Sequence, residues 1–252
     1  MESSNRSLSR EEGRPTRQNM VMEAEQTRKE GGEGQGDGAA RKPSGALQKP
    51  LELPLLCFTT SRWARAVLES PYELLNDHAH LEKKAATNAL ELLCRWPDKE
   101  APDHWVRAMS AMAAEESEHL RLVSGLMLEN GWKISRNHKN LYAGLLHRRV
   151  RKGGRKELAD RLYVAALIEL RSCERFQVLA SEAAHSHPWI SRLYASLMDS
   201  EVGHYHAFLR LAREVDPEPV WSQWLAAEAE TIADLPFFPG ILSGDSDSYQ
   251  LP

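Results

Sequence analysis

The chain is short of cysteine: three residues in 252, Cys57, Cys94 and Cys173, far apart and without CxxC spacing. That excludes a disulfide framework and fits a reduced, cytoplasmic protein. Long apolar runs are also missing. None approaches the ~20 residues that span a bilayer, and the N-terminus lacks the apolar core of a signal peptide, so no membrane partner is expected. There is no excess of one charge, with 32 Lys+Arg against 36 Asp+Glu. Any nucleic-acid contact must therefore come from a local patch. No flavin or nicotinamide fingerprint is present. No stretch alternates with period two, which leaves no case for a sheet and makes the class all-α.

Residues 1–50 are rich in Glu, Arg, Gly, Ser and Gln and almost free of aromatic and β-branched residues. They are read as a disordered arm, a dispensable extension rather than a functional tail. Residues 51–244 form the expected domain, and 245–252 an irregular tail. Thr59, Thr60 or Ser61 caps a short helix through Leu68. Ser70-Pro71 starts the first long helix, which stops before Pro97. A second follows Pro102 and ends at Gly131, and a connection with a short helix of its own runs to about Gly154. The third long helix spans about Arg155 to Ala184, and Pro188 opens the fourth. Asp216-Pro217 starts a shorter helix through about Ala233.

Each long helix carries one glutamate at the middle of its apolar stripe: Glu82, Glu116, Glu169 and Glu201. Two of these head an ExxH pair, Glu116/His119 and Glu201/His204. Residues three apart share one helical face, so each pair offers a carboxylate and an imidazole to one point. The pattern alone is cheap. With 26 Glu and 10 His in 252 residues, chance gives about one match, and three occur. The third, Glu182/His185, sits at a helix end and is read as surface. What singles out the other two is burial, because a carboxylate on an apolar stripe needs a partner or a metal. A salt-bridge network is the competing explanation, but no inward stripe supplies the cations. The spacings repeat, 34 residues from Glu82 to Glu116 and 32 from Glu169 to Glu201, so each hairpin brings its two carboxylates to one height. Glu174 is the rival to Glu169 and breaks that repeat. Glu115 and Glu118 point off the stripe and are expected in solvent. His78 and His80 are expected to be exposed, with His78, one turn before Glu82, the alternative as a partner orienting that ligand.

Four carboxylates and two imidazoles on a four-helix bundle suit two iron or manganese ions rather than tetrahedral zinc. Two helical hairpins joined by a long crossover, plus a C-terminal helix, is ferritin-like connectivity. Such a centre can activate dioxygen, split peroxide or oxidise iron. A small-molecule ferroxidase or peroxidase and a non-catalytic helical binding module are the alternative functions. The densest positive run outside the arm, His147 to Lys156, holds Arg148, Arg149, Arg151, Lys152, Arg155 and Lys156. It can hold phosphates, though it has no interleaved aromatics for base stacking.

The run Asp160-Arg161-Leu162 through Ala166 to Phe176, the stretch His78 to Ala86, and the two ExxH pairs together resemble the MiaE-type tRNA hydroxylases. The similarity covers about residues 53–244. It implies a di-iron monooxygenase that uses O2 to hydroxylate the isopentenyl chain of 2-methylthio-isopentenyl-adenosine beside the tRNA anticodon. It also implies that Glu82, Glu116, His119, Glu169, Glu201 and His204 ligate iron. Glu174 and Arg175 would then orient those ligands, and the basic run would touch the tRNA backbone. Electrons would come from a separate reductase.

Overall fold

A computed structural model describes residues 52–245, so the expected arm over 1–50 and nearly all of the 245–252 tail lie outside the described residues. The described residues hold seven helices and no strand. They are α1 (Ser61–Leu68), α2 (Pro71–Leu93), α3 (Asp103–Glu129), α4 (Leu141–His147), α5 (Gly154–Ser186), α6 (Pro188–Val215) and α7 (Trp221–Ala233).

The boundaries follow local chemistry. Thr60 caps α1, its hydroxyl accepting the Trp63 N–H, a contact worth about 1 kcal/mol. Proline occupies the first turn of α2 and of α6, where the missing N–H costs nothing. α3 ends in a Schellman turn: the Gly131 N–H reaches Leu128 and the Trp132 N–H reaches Met127. The turn needs Gly131, whose φ is +74°. Asp216-Pro217 does not start α7, which begins at Trp221. Pro219 holds Glu218 out of the helical region, and Asp216 caps a turn at the Glu218 N–H instead.

α2 and α3 form one antiparallel hairpin and α5 and α6 the other. Between them the chain runs back along α2. Tyr72 donates to the Lys133 carbonyl, Asn76 accepts the Ser135 N–H, and His138 meets Asp77 and Lys84. It then reaches the opposite end of the bundle, where Arg155 pairs with Asp98 of the α2–α3 turn. This is the ferritin-like crossover. α1 packs on α5 and α2, and α7 packs on α4 and α5. The segment after Pro236 is irregular as expected, yet Ile241, Leu242 and Ser243 are buried. Asp77 accepts the Ile241 N–H at 2.8 Å. With both sides covered, α5 is buried almost without interruption from Leu158 to Phe176.

Candidate metal centre

All six residues singled out by the helical stripes meet in the middle of the bundle, each less than a tenth exposed. Their donor atoms form two overlapping groups. Glu82, Glu116, His119 and Glu201 lie within 4.8 Å of one another, and so do Glu116, Glu169, Glu201 and His204. Glu116 and Glu201 belong to both. Glu82 with His119 flanks one end, and Glu169 with His204 the other. The two groups lie side by side and share two carboxylates.

The imidazoles are held with one nitrogen inward. Nδ1 of His119 lies 3.1 Å from Glu201, and Nδ1 of His204 lies 2.8 Å from Glu116. Outward, Nε2 of His119 lies 2.9 Å from the Ser200 hydroxyl, which donates its own proton to the Leu197 carbonyl. That hydroxyl must therefore accept from Nε2–H, so that in the neutral imidazole Nδ1 is the lone-pair nitrogen. Nε2 of His204 donates to the Glu115 carboxylate at 2.8 Å, with the same consequence. The sequence missed both orienters. Glu115 is half exposed, as expected, but its carboxylate end turns inward.

The donor set fits cations. The buried Nδ1 atoms of His119 and His204 approach the site carboxylates at 2.8–4.0 Å without well-directed hydrogen bonds, and Oε1 of Glu201 is likewise unsatisfied among the described residues. Among the described residues, no Lys or Arg forms an ion pair with the four carboxylates. Burial pushes the Glu82 and Glu169 carboxyls well up, reinforced for Glu169 by Glu116 and Glu201. Burial would also push Glu116 up, but His119 and His204 outweigh it and lower it. The His119 imidazole is pulled the other way from its burial, to about 12, by Glu116, Glu201 and Glu82. His204 is raised against its burial to about 9, chiefly by Glu116. Four carboxyls and two imidazoles crowded into one buried site, without a Lys or Arg, are a donor set that divalent ions would satisfy.

Other expectations need correction. His78 is not exposed: it is 1% accessible, stacked on Tyr194 and tilted against Phe176, with Nε2 2.5 Å from Glu82. His80 is buried too, against Ser135 under the crossover. His78 faces the bundle interior against α5 and α6, and His80 lies beneath the crossover, a layer that the periodicity of α2 alone does not show. Glu174 is not a rival ligand, nor do Glu174 and Arg175 touch the six. The Glu174 carboxylate accepts from the N–H and hydroxyl of Thr59, both at 2.6 Å, and from Arg171. Arg175 donates to the Ser243 carbonyl and lies over the Trp63 ring at 3.9 Å. These residues belong to a second buried polar cluster on the far side of α5, centred on Arg171 and Glu228.

The basic run is mostly committed within the chain. Arg151 clamps buried Asp160 and also reaches Glu218; Arg149 pairs with Glu230, Arg155 with Asp98 and Lys156 with Glu218. Only Arg148 and Lys152 of the six are exposed and without an ion pair among the described residues. Glu182 pairs with Arg65 near the end of α5, and His185 is exposed, as expected for the third ExxH.

No helix among the described residues is long and apolar enough to cross a membrane. A family described as tRNA-(MS[2]IO[6]A)-hydroxylase (MiaE) matches residues 47–239. A Pseudomonas putida protein named tRNA 2-(methylsulfanyl)-N(6)-isopentenyladenosine(37) hydroxylase is 36% identical over 64% of this chain and 76% of its own length. A Salmonella typhimurium protein of the same name is 31% identical over 48% of this chain and 38% of its own. Among solved structures, a Synechococcus protein described as having aldehyde deformylating oxygenase activity superposes with a TM-score of 0.68. It is 30% identical, over 78% of this chain and 98% of that one. Sequence, bundle and buried Glu/His cluster agree, and the chain belongs to the MiaE family of tRNA hydroxylases.

Proposed function

We propose that Glu82, Glu116, His119, Glu169, Glu201 and His204 would hold two iron ions, with Glu116 and Glu201 available to both. The loaded centre hydroxylates the isopentenyl side chain of 2-methylthio-isopentenyl-adenosine beside the anticodon of tRNA, in the cytoplasm. The observation that carries this reading is the pair of overlapping four-donor groups sharing two carboxylates, in a chain of this family. Bound iron would supply the oxidising power toward an allylic C–H bond of the prenyl group, drawing on O2 and on electrons from a separate reductase.

The protein's own part is geometric. Ser200 and Glu115 fix the imidazole tautomers so that both lone pairs face inward. The buried carboxylates balance the charge of two cations. Met112, one turn from Glu116, and Phe208, one turn from His204, are buried core residues, and Phe176 packs on His78 beside Glu82. The test is nucleoside analysis of tRNA from cells lacking the gene, complemented with wild type or with Glu201→Ala. Hydroxylated prenyl-adenosine restored by wild type alone supports the reading. Its persistence in the deletion strain, with no second enzyme making it, rejects the substrate.

A further inference from the structure

The bundle has a second positively charged surface, at the end opposite the basic run, and its charge is not spent internally. The crossover leaves α3 as Trp132-Lys133-Ile134-Ser135-Arg136-Asn137-His138-Lys139. Its polar groups strap it to α2: Lys133 through Tyr72, Ser135 through Asn76 and His80, His138 through Asp77. Lys133, Arg136 and Lys139 point to solvent and make no ion pair among the described residues. Arg192, near the start of α6, is likewise exposed and unpaired.

This surface also has what the basic run lacks, aromatic rings between the cations. Tyr72 meets Trp132 edge-on at 5.9 Å, and Trp132 meets Trp189 at 6.4 Å, so a half-buried row crosses from α2 to α6. From Trp189 a groove of about 340 Å³ runs between α3 and α6, walled by Leu122, Leu126 and Leu193, with Glu129 the acidic group on its rim. The groove ends at Ser196, one helical turn before the Ser200 hydroxyl that holds His119. One turn is about 5.4 Å, on the scale of a five-carbon side chain.

We propose that the anticodon loop of tRNA docks on this end of the bundle. Lys133, Arg136 and Lys139 contact its phosphates, Trp132 and Trp189 stack its unpaired bases, and the α3–α6 groove takes the prenyl chain toward the metal centre. Single-stranded RNA is held in this way, by cations that track the backbone and rings on which bases stack. The inference rests on the tRNA reading above and names the surface that serves it.

The test measures binding of the full-length protein to a synthetic anticodon stem-loop bearing 2-methylthio-isopentenyl-adenosine, across a salt series. The strap variant Lys133→Ala/Arg136→Ala/Lys139→Ala is expected to bind at least about tenfold more weakly. Its slope of log K against log salt should fall by about 2 to 3, since three phosphate contacts are lost. Trp189→Leu should weaken binding at least about fivefold with the slope unchanged, because it removes stacking and not charge. Arg148→Ala/Lys152→Ala at the opposite end should bind as wild type. If the strap variant keeps wild-type affinity and slope, the docking surface is wrong while the tRNA reading stands. If wild-type protein fails to bind the stem-loop even at low salt, the tRNA reading falls and the inference falls with it.

Discussion

Replacing Arg171 with methionine removes one guanidinium that closes a cluster of buried groups. Its Nε and one terminal nitrogen bind the two oxygens of Glu228 at 2.8 and 2.9 Å, and its other terminal nitrogen reaches Glu174 at 3.1 Å. Glu228 is fully buried, and without Arg171 its one remaining hydrogen bond among the described residues is from the Tyr142 hydroxyl at 3.0 Å. Leaving a buried carboxylate without its cation costs about 3–5 kcal/mol. That is a large share of a typical stability of about 5–15 kcal/mol. At about 2–4 °C per kcal/mol for a domain of this size, the melting temperature should fall by about 6–20 °C. The double variant Arg171→Met/Glu228→Leu removes both charges and should recover most of the loss, since apolar replacement of a buried pair is often nearly neutral. Circular dichroism melts of the metal-free protein measure all three. A single variant melting within about 2 °C of wild type, or a double variant no better than the single, would refute the reasoning.

The imidazole orienters should matter for metal and little for folding. Ser200→Ala and Glu115→Ala each remove the acceptor of an Nε2–H, and each should weaken metal binding about 10- to 100-fold, read by competition with a chelator. Unchanged affinity in both would mean that the Nδ1 atoms are not ligands. Metal binding at pH 7 should release protons. His119 and His204 are raised to about 12 and about 9, so both are protonated in the metal-free protein, and coordination needs their neutral form. Affinity should therefore fall as pH falls. Titration calorimetry in buffers of different ionisation enthalpy counts the protons, and no release at all contradicts the proposed ligand set. Gly240→Ala should destabilise the C-terminal segment, because a methyl there would lie 2.7 Å from the Asp77 carboxylate that holds the Ile241 N–H. A lowered melting temperature with metal affinity retained is the expected result.

The bundle was legible in the sequence because each long helix presents one apolar stripe, and the cluster because a glutamate interrupts each stripe at mid-helix. Those signals are local and periodic. Groups on the back of α5 were not legible. Arg171, Glu174 and Arg175 lie off the stripe that carries Glu169, and single-helix periodicity assigns such positions to solvent. They are buried because α1, α7 and the segment through Ser243 cover that side, a tertiary fact with only one hint in the sequence: α5 is apolar on more than one face. His80 was misplaced for the same reason, since the crossover covers it, and His78 because it turns inward against Phe176 and Tyr194 beside Glu82. Glu115 was correctly placed on the surface, but which end of a half-exposed side chain turns inward depends on its neighbour across the helix pair. Charge density marked the basic run, yet most of its cations meet acids distant in sequence, such as Glu218 and Glu230.

The central claim is that two ions share Glu116 and Glu201. Iron content of the protein reconstituted without oxygen tests it directly, measured for wild type, Glu82→Ala and Glu201→Ala. The overlapping donor groups predict two irons per chain in wild type. They predict loss chiefly of the ion beside His119 in Glu82→Ala, and loss of both in Glu201→Ala. A wild-type protein that saturates at one iron, or a Glu201→Ala variant that keeps two, would contradict the shared-carboxylate centre.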